Sequence, residues 1–109
     1  MELGTSLGIT TAYLASANKR NKILTFEGCK AVAKIAAENW NRLNINNIEC
    51  VVGEINIEQM QQKIQLLDIA FIDANHTYAG TRNYFNVLAD KVHEKSVIVV
   101  DDIHHSEEM

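Results

Sequence analysis

The sequence has no C-x-x-C pair, no basic cluster beyond Lys19-Arg20 and Lys22, and no apolar run near the roughly 20 residues a membrane-spanning helix needs. Each absence removes a class of function. Cys29 and Cys50 stand alone and far apart, which reads as two buried thiols in a reducing compartment and points to the cytoplasm. With a net charge of −4 and no basic stripe, nucleic acid is disfavoured as the main ligand. The N-terminus is acidic and glycine-bearing, unlike the basic-then-apolar start of a secretory signal. Proline is absent as well, which decides nothing about the fold. What remains is a 109-residue chain, 47% hydrophobic and 22% charged, enough for one small globular domain.

The first informative stretch is Met1 to Gly8, Met-Glu-Leu-Gly-Thr-Ser-Leu-Gly, running into Ile9-Thr10-Thr11-Ala12. Gly4 and Gly8 allow a tight turn, and the helix start behind them offers unpaired N–H groups with a partial positive charge. Glu2 adds an acceptor for a cationic group. A nucleotide-like cofactor at the carboxyl edge of a sheet fits this pattern. So does an ordinary strand-to-helix turn.

Downstream, apolar runs alternate with amphipathic stretches. Ile9–Asn18 reads as a helix, Ile23–Phe26 as a strand, Cys29–Leu43 as a helix and Ile48–Val52 as a strand. Ile57–Leu66 reads as a helix, Leu67–Ile72 as a strand, Tyr78–Val92 as a helix and Val97–Val100 as a strand. The Cys29–Leu43 helix is expected to bury Val32, Ile35, Ala36, Trp40 and Leu43, and the last helix Thr81, Tyr84, Phe85, Leu88 and Val92. Fully apolar strands between amphipathic helices predict an α/β fold with a parallel sheet covered on both sides. The strand that should precede the glycine turn is reduced to Met1 and Leu3, so the sequence reads as a partial domain truncated at both ends.

Strand after strand ends in acid: Glu2, Glu27, Glu54, Asp73, then Asp101-Asp102. In an open parallel sheet these ends share one edge, where ligands bind. Helix capping accounts for any one of them. The whole set repels itself unless a cation or hydroxyl donors sit among the carboxylates.

These motifs together resemble the class I S-adenosylmethionine-dependent methyltransferases, from Glu2 to about Ile103. Glu-Leu-Gly-Thr-Ser-Leu-Gly is similar to their first motif, with Ser6 where many members have glycine. The resemblance implies a Rossmann-like doubly wound sheet of order 3-2-1-4-5. It implies a cofactor site built from Glu2, Gly4, Thr5, Ser6, Gly8, Glu27, Gly28, Gly53, Glu54 and Asp73, with Glu27 on the ribose hydroxyls and Gly53-Glu54 near adenine. Phe71-Ile72-Asp73-Ala74-Asn75-His76-Thr77-Tyr78 and Val99-Val100-Asp101-Asp102 are more specific. They resemble the metal-dependent O-methyltransferases of the catechol and caffeoyl-CoA type and related bacterial enzymes. By that resemblance Asp73, Asp101 and Asp102 would hold a divalent cation, usually Mg²⁺. His76 stands where the catechol type has its lysine base, and Asn75 stands where sugar-methylating relatives have an aspartate base.

The chemistry is coherent in its own right. Methyl transfer from a sulfonium is an in-line displacement that needs a positioned donor and a nucleophilic oxygen. An oxygen bound to a hard cation deprotonates more readily, and a neutral histidine accepts its proton, a contribution of typically ~10²–10⁴-fold. The expected function is O-methylation of a small-molecule hydroxyl with S-adenosylmethionine and Mg²⁺, away from membranes. Two alternatives stay open: an NAD-dependent oxidoreductase, and a non-catalytic fragment completed by a partner chain, a homo-oligomer or a swapped strand. His104 and His105 could add ligands or remain solvated.

Overall fold

The computed structural model describes residues 1–109 and contains nine elements. These are β1 (Glu2–Leu3), α1 (Ile9–Ser16), β2 (Ile23–Glu27), α2 (Lys30–Arg42), β3 (Ile48–Val52), α3 (Ile57–Lys63), β4 (Leu67–Ile72), α4 (Tyr78–Ala89) and β5 (Val92–Val100). The strands form one five-stranded sheet of order β3-β2-β1-β4-β5, the expected Rossmann-like order. No helix is long and apolar enough to cross a membrane. The chain divides into two compact units, Glu2–Ile55 and Asn56–Met109 with Met1.

In the first unit β1 pairs in parallel with β2, and β2 with β3. The strand before the glycine turn is the short β1, two residues long, with Leu3 fully buried. Helices α1 and α2 pack on β2, and α2 also on β3. The buried face of α2 is Ala33, Ala36 and Trp40. That corrects the expected face: Ile35 and Leu43 are exposed. Small alanines let the helix lie close to the strands, and Trp40 fills the remaining depth. α2 stops in a Schellman motif, with Asn44 in the left-handed region (φ 55°). The Asn44 amide donates to the Asn41 carbonyl at 3.1 Å and the Ile45 amide to the Trp40 carbonyl at 2.9 Å.

In the second unit β4 and β5 are parallel, α4 packs on β4, and α3 on α4. Asn56 caps α3 by accepting from the Gln59 amide at 3.0 Å, and Thr77 caps α4 by accepting from the Gly80 amide at 3.2 Å. α4 buries Tyr84, Val87 and Leu88 and leaves Phe85 exposed, a second correction to the expected faces. β5 begins at Val92, not Val97. Its register against β4 shifts between Leu67 and Ile69, because the polar run His93-Glu94-Lys95-Ser96 bulges there. Side chains hold that bulge: Ser96 accepts from the His93 amide at 2.8 Å and donates to the Leu67 carbonyl at 2.6 Å. His93 Nε2 lies 2.8 Å from Asp68 Oδ1. On β4 and β5 the apolar side chains of Ile69, Val97 and Val99 are exposed.

Candidate functional site

In the first unit the glycine loop hangs from the end of β1. The amides of Gly4 and Thr5 both donate to the Phe26 carbonyl, at 3.0 and 3.2 Å, so the loop leaves the sheet tethered to β2. Gly4 (φ 94°), Ser6 (φ 50°) and Gly8 (φ 77°) all lie in the left-handed region, which turns the chain back within five residues. Gly8 begins α1 with no side-chain cap, leaving first-turn amides available to a ligand.

Two side chains of α2 fix this loop from beneath. Trp40 Nε1 donates to the Gly8 carbonyl at 2.9 Å, and Asn39 donates to the Leu7 carbonyl at 3.0 Å. A Cβ on Gly8 would lie 2.5 Å from Trp40 Nε1, so glycine is required there by both conformation and space. The sequence shows Trp40 as a core residue. Its hold on the loop, 32 positions away, has no local signal.

Glu2 is 1% exposed and does not reach the surface. Its Oε2 accepts from Thr11 of α1 and from Thr25 of β2, the latter at 2.7 Å. Because the Thr25 proton is committed to Glu2, Thr25 accepts from Thr5, whose hydroxyl is 2.7 Å away. A buried chain of hydroxyls thus ties β1, β2, α1 and the loop to one carboxylate. It supplies the hydroxyl donors that a carboxylate out of water requires. None of these threonines was singled out by sequence except Thr5. Beside them, burial pushes the Cys50 thiol up, the charges of Glu27 and Glu2 add to this, and the contact with Thr5 opposes it.

Glu27, at the end of β2, accepts from the Ser6 amide at 2.8 Å and from the Cys29 amide at 2.9 Å, one on each oxygen. Each oxygen keeps a second lone pair for a ligand hydroxyl. Gly28 is open on its Cβ side, and so is Gly53 (φ 126°), whose amide donates to the Glu27 carbonyl at 2.8 Å. Glu54 is exposed just beyond it. The expected residues Gly4, Thr5, Ser6, Gly8, Glu27, Gly28, Gly53 and Glu54 thus cluster at the carboxyl ends of β1, β2 and β3, while Glu2 lies beneath them.

The second unit carries a separate cluster. Asp73 follows β4, and Asn75 (φ 50°) turns the chain so that His76 comes back over it. His76 Nε2 lies 3.8 Å from Asp73 Oδ1, and Nδ1 lies 3.6 Å from Asp102 Oδ2. One donor atom from each of Asp73, His76 and Asp102 falls within 4.8 Å of the others. Asp101 is adjacent but not one of this trio. Its Oδ1 accepts from the Asp102 amide at 2.8 Å, and Asp102 adopts φ 53°. The Asp73 carboxyl is raised above its ordinary value by desolvation, then by the charge of Asp101; His76 counteracts this and Asp102 adds to it.

The His105 ring packs beside His76, centroids 5.0 Å apart and planes tilted by 32°. Asp101, Asp102, Ile103, His104 and His105 line a pocket of about 330 Å³. The sequence pointed to Asp73, His76 and Asp102 but not to Gly80. A Cβ on Gly80 would lie 2.5 Å from Asn75 Nδ2, so this glycine leaves room for the turn that carries His76.

Residues 1–103 match the family model described as a methyltransferase domain. Among solved structures, the chain is similar to the O-methyltransferase TomG from Streptomyces achromogenes, in complex with SAM and involved in tomaymycin synthesis. Identity is 24%, the TM-score is 0.77, and the match covers 91% of this chain and 46% of that one. A caffeoyl-CoA O-methyltransferase assignment from Staphylococcus aureus shares 18% identity with a TM-score of 0.81, covering 97% and 50%. Cofactor-bound Rv0187 from MTB shares 27% with a TM-score of 0.81, covering 95% and 48%. The chain therefore spans about half the length of these proteins. No curated protein matches it.

Proposed function

The chain belongs to the methyltransferase-domain family, and from that premise we propose that it is the donor-binding part of an S-adenosylmethionine-dependent O-methyltransferase acting on a small-molecule hydroxyl. The family match sets aside the NAD-dependent oxidoreductase alternative. The clamped loop Gly4–Gly8 and Glu27 suit the donor: loop amides for the methionine carboxylate, and the lone pairs left on Glu27 for the ribose hydroxyls. Gly53 and Glu54 border the adenine in this reading, and Glu2 acts through Thr11 and Thr25 as a positioning residue.

The observation that carries O-methylation is the convergence of Asp73, His76 and Asp102. A sulfonium donor needs no such cluster, whereas an acceptor hydroxyl does. In the proposed reaction the methyl C–S bond breaks as the O–C bond forms. The hydroxyl proton passes to a base, and S-adenosylhomocysteine and a methyl ether result. A divalent cation among these carboxylates would make a bound hydroxyl easier to deprotonate. Asp101 would tune the site by its charge and by fixing the Asp102 amide. Two roles are open to the imidazole of His76: proton acceptor, or nitrogen ligand.

Calorimetric titration with S-adenosylhomocysteine, followed by methyl-transfer assays on catechol-type and sugar hydroxyls with and without chelator, tests this reading. Binding and chelator-sensitive transfer to oxygen are expected. No binding of S-adenosylhomocysteine would overturn it. Binding without transfer to any acceptor would favour the non-catalytic alternative.

A further inference from the structure

β5 is an edge strand: it pairs with β4 on one side, and no strand lies on the other. The Asp101 amide donates to the Ile72 carbonyl at 2.9 Å. A strand's main-chain groups alternate in direction, so those of Val97, Val99 and Asp101 turn toward β4 and those of Ile98 and Val100 turn outward. From Val97 to Val100 this open edge is an unbroken β-branched run, with no charge and no proline. Charges and prolines are what guard an edge strand against pairing. Val97 and Val99 are also exposed on the face of the sheet, where Val97 lies beside the exposed Ile69. The other edge of the sheet, β3, carries the acid Glu49 within the strand and no base.

The charges that flank the β5 run are opposite in sign. Lys95 precedes it, Asp101 follows it, and both are exposed. Asp102, at φ 53°, ends the extended segment. A strand of this pattern is its own complement when a second copy runs antiparallel to it. Outward main-chain groups must meet outward groups, which limits the register. With Ile98 opposite Ile98, Lys95 of each copy meets Asp101 of the other. Val97 then meets Val99 in the closer, non-hydrogen-bonded kind of pair, with Cα atoms about 4.5 Å apart. A shift of two residues one way sets Asp101 against Val97, and the other way sets Lys95 against Val99. Opposite charges and β-branched pairs directly across a ladder both favour the first register. Lys95 leaves the bulge on a long flexible stem and reaches a carboxylate without fixed geometry.

We propose that β5 is a self-association surface, on which two copies of this chain pair antiparallel about a two-fold axis at Ile98, with Lys95 of each opposite Asp101 of the other. The contact is isologous, so each favourable pair occurs twice and the assembly closes at two copies. The two five-stranded sheets become one continuous sheet, and neither β5 edge stays open. The pairing draws nothing from the methyltransferase reading, and its failure would leave donor binding untouched.

The test is sedimentation velocity of the wild-type chain over a concentration series, with chelator present so that no metal bridges the acids. Lys95→Asp, Asp101→Lys and the double variant Lys95→Asp/Asp101→Lys are run beside it, and circular dichroism confirms that each folds. A reversible wild-type dimer is expected. Each single variant sets like charges opposite each other at both symmetric positions, and should weaken dimerisation by about tenfold or more. The double variant restores opposite charges and should recover most of that loss. Amide hydrogen exchange supplies the second readout. Protection of the Ile98 amide should rise with protein concentration, whereas the Val97 and Val99 amides, turned to β4, should be protected at every concentration. A wild type that stays monomeric throughout the series would overturn the proposal. So would a dimer unaffected by both single variants, a double variant as weak as the singles, or a dimer whose Ile98 amide exchanges as fast as in the monomer.

Discussion

Trp40 and Gly8 are locked together: the indole Nε1 donates to the Gly8 carbonyl at 2.9 Å, and the ring occupies the space a Gly8 side chain would need. Gly8→Ala must both hold alanine at φ 77° and displace the indole. The conformational part alone costs about 1–2 kcal/mol. A lower melting temperature and weaker binding of S-adenosylhomocysteine are expected. Trp40 is the sole tryptophan, so its fluorescence reports the displacement directly. An unchanged emission maximum in Gly8→Ala would contradict the packing described.

The hydroxyl chain beneath the loop makes a second prediction. Thr25→Val keeps the shape but deprives Glu2 Oε2 of one donor and Thr5 of its acceptor. Loss of a hydrogen bond to a charged group costs about 1.5–3 kcal/mol. Thr25→Ser retains the hydroxyl and should recover most of that stability. Denaturant titration of both variants checks this, and a valine variant as stable as the wild type would contradict the role given to the Thr25 hydroxyl.

The sequence conveyed the β/α alternation and the strand order through its family resemblance, because apolar runs such as Leu67–Ile72 have few alternatives to a buried strand. It was weaker on faces and boundaries. Ile35 and Leu43 fit the helical period, yet Ala33 and Ala36 face the strands, since close helix–sheet packing favours small side chains there. The start of β5 was hidden by His93 to Ser96, polar residues whose pairing is made by side chains in a bulge. In the candidate site, Asp73, His76 and Asp102 were legible as types at family positions. The expected grouping was Asp73 with Asp101 and Asp102; that His76 joins Asp73 and Asp102 instead depends on backbone turns at Asn75 and Asp102, where non-glycine residues adopt positive φ. Trp40 under Gly8 and Thr25 on Glu2 are long-range contacts with no local pattern at all.

The two thiols should react very differently. Contrary to the expectation of two buried thiols, Cys29 is exposed, whereas Cys50 is partly covered, and its thiol is pushed above the ordinary range by burial and by the charges of Glu27 and Glu2. Since the thiolate is the reactive form, a disulfide reagent at pH 8 should label Cys29 at least about tenfold faster than Cys50. Mass spectrometry of partially labelled protein reads the ratio. Comparable rates at the two sites would show that the Thr5–Cys50 region opens readily in solution.

The Asp73 cluster predicts a substitution that stabilises the metal-free protein. Desolvation and the carboxylates of Asp101 and Asp102 raise the Asp73 carboxyl in the folded state despite the opposing effect of His76. A carboxyl raised on folding binds its proton more tightly in the native chain than in the unfolded one. Its presence therefore costs nothing below the unfolded value, and the cost grows as pH climbs through the folded value, remaining in full above it. Asp73→Asn should accordingly raise the melting temperature at neutral pH and leave it unchanged in acid. The gain should stay under about 1 kcal/mol because the side chain is solvent-accessible, and it should shrink in high salt. Adding a divalent metal should reverse the order, because the wild type gains binding energy through Asp73 that the asparagine variant cannot match. Thermal melts of both proteins across pH, with and without Co²⁺, read both signs. A variant less stable than the wild type in chelator at neutral pH would contradict the charge repulsion assigned to this corner of the molecule.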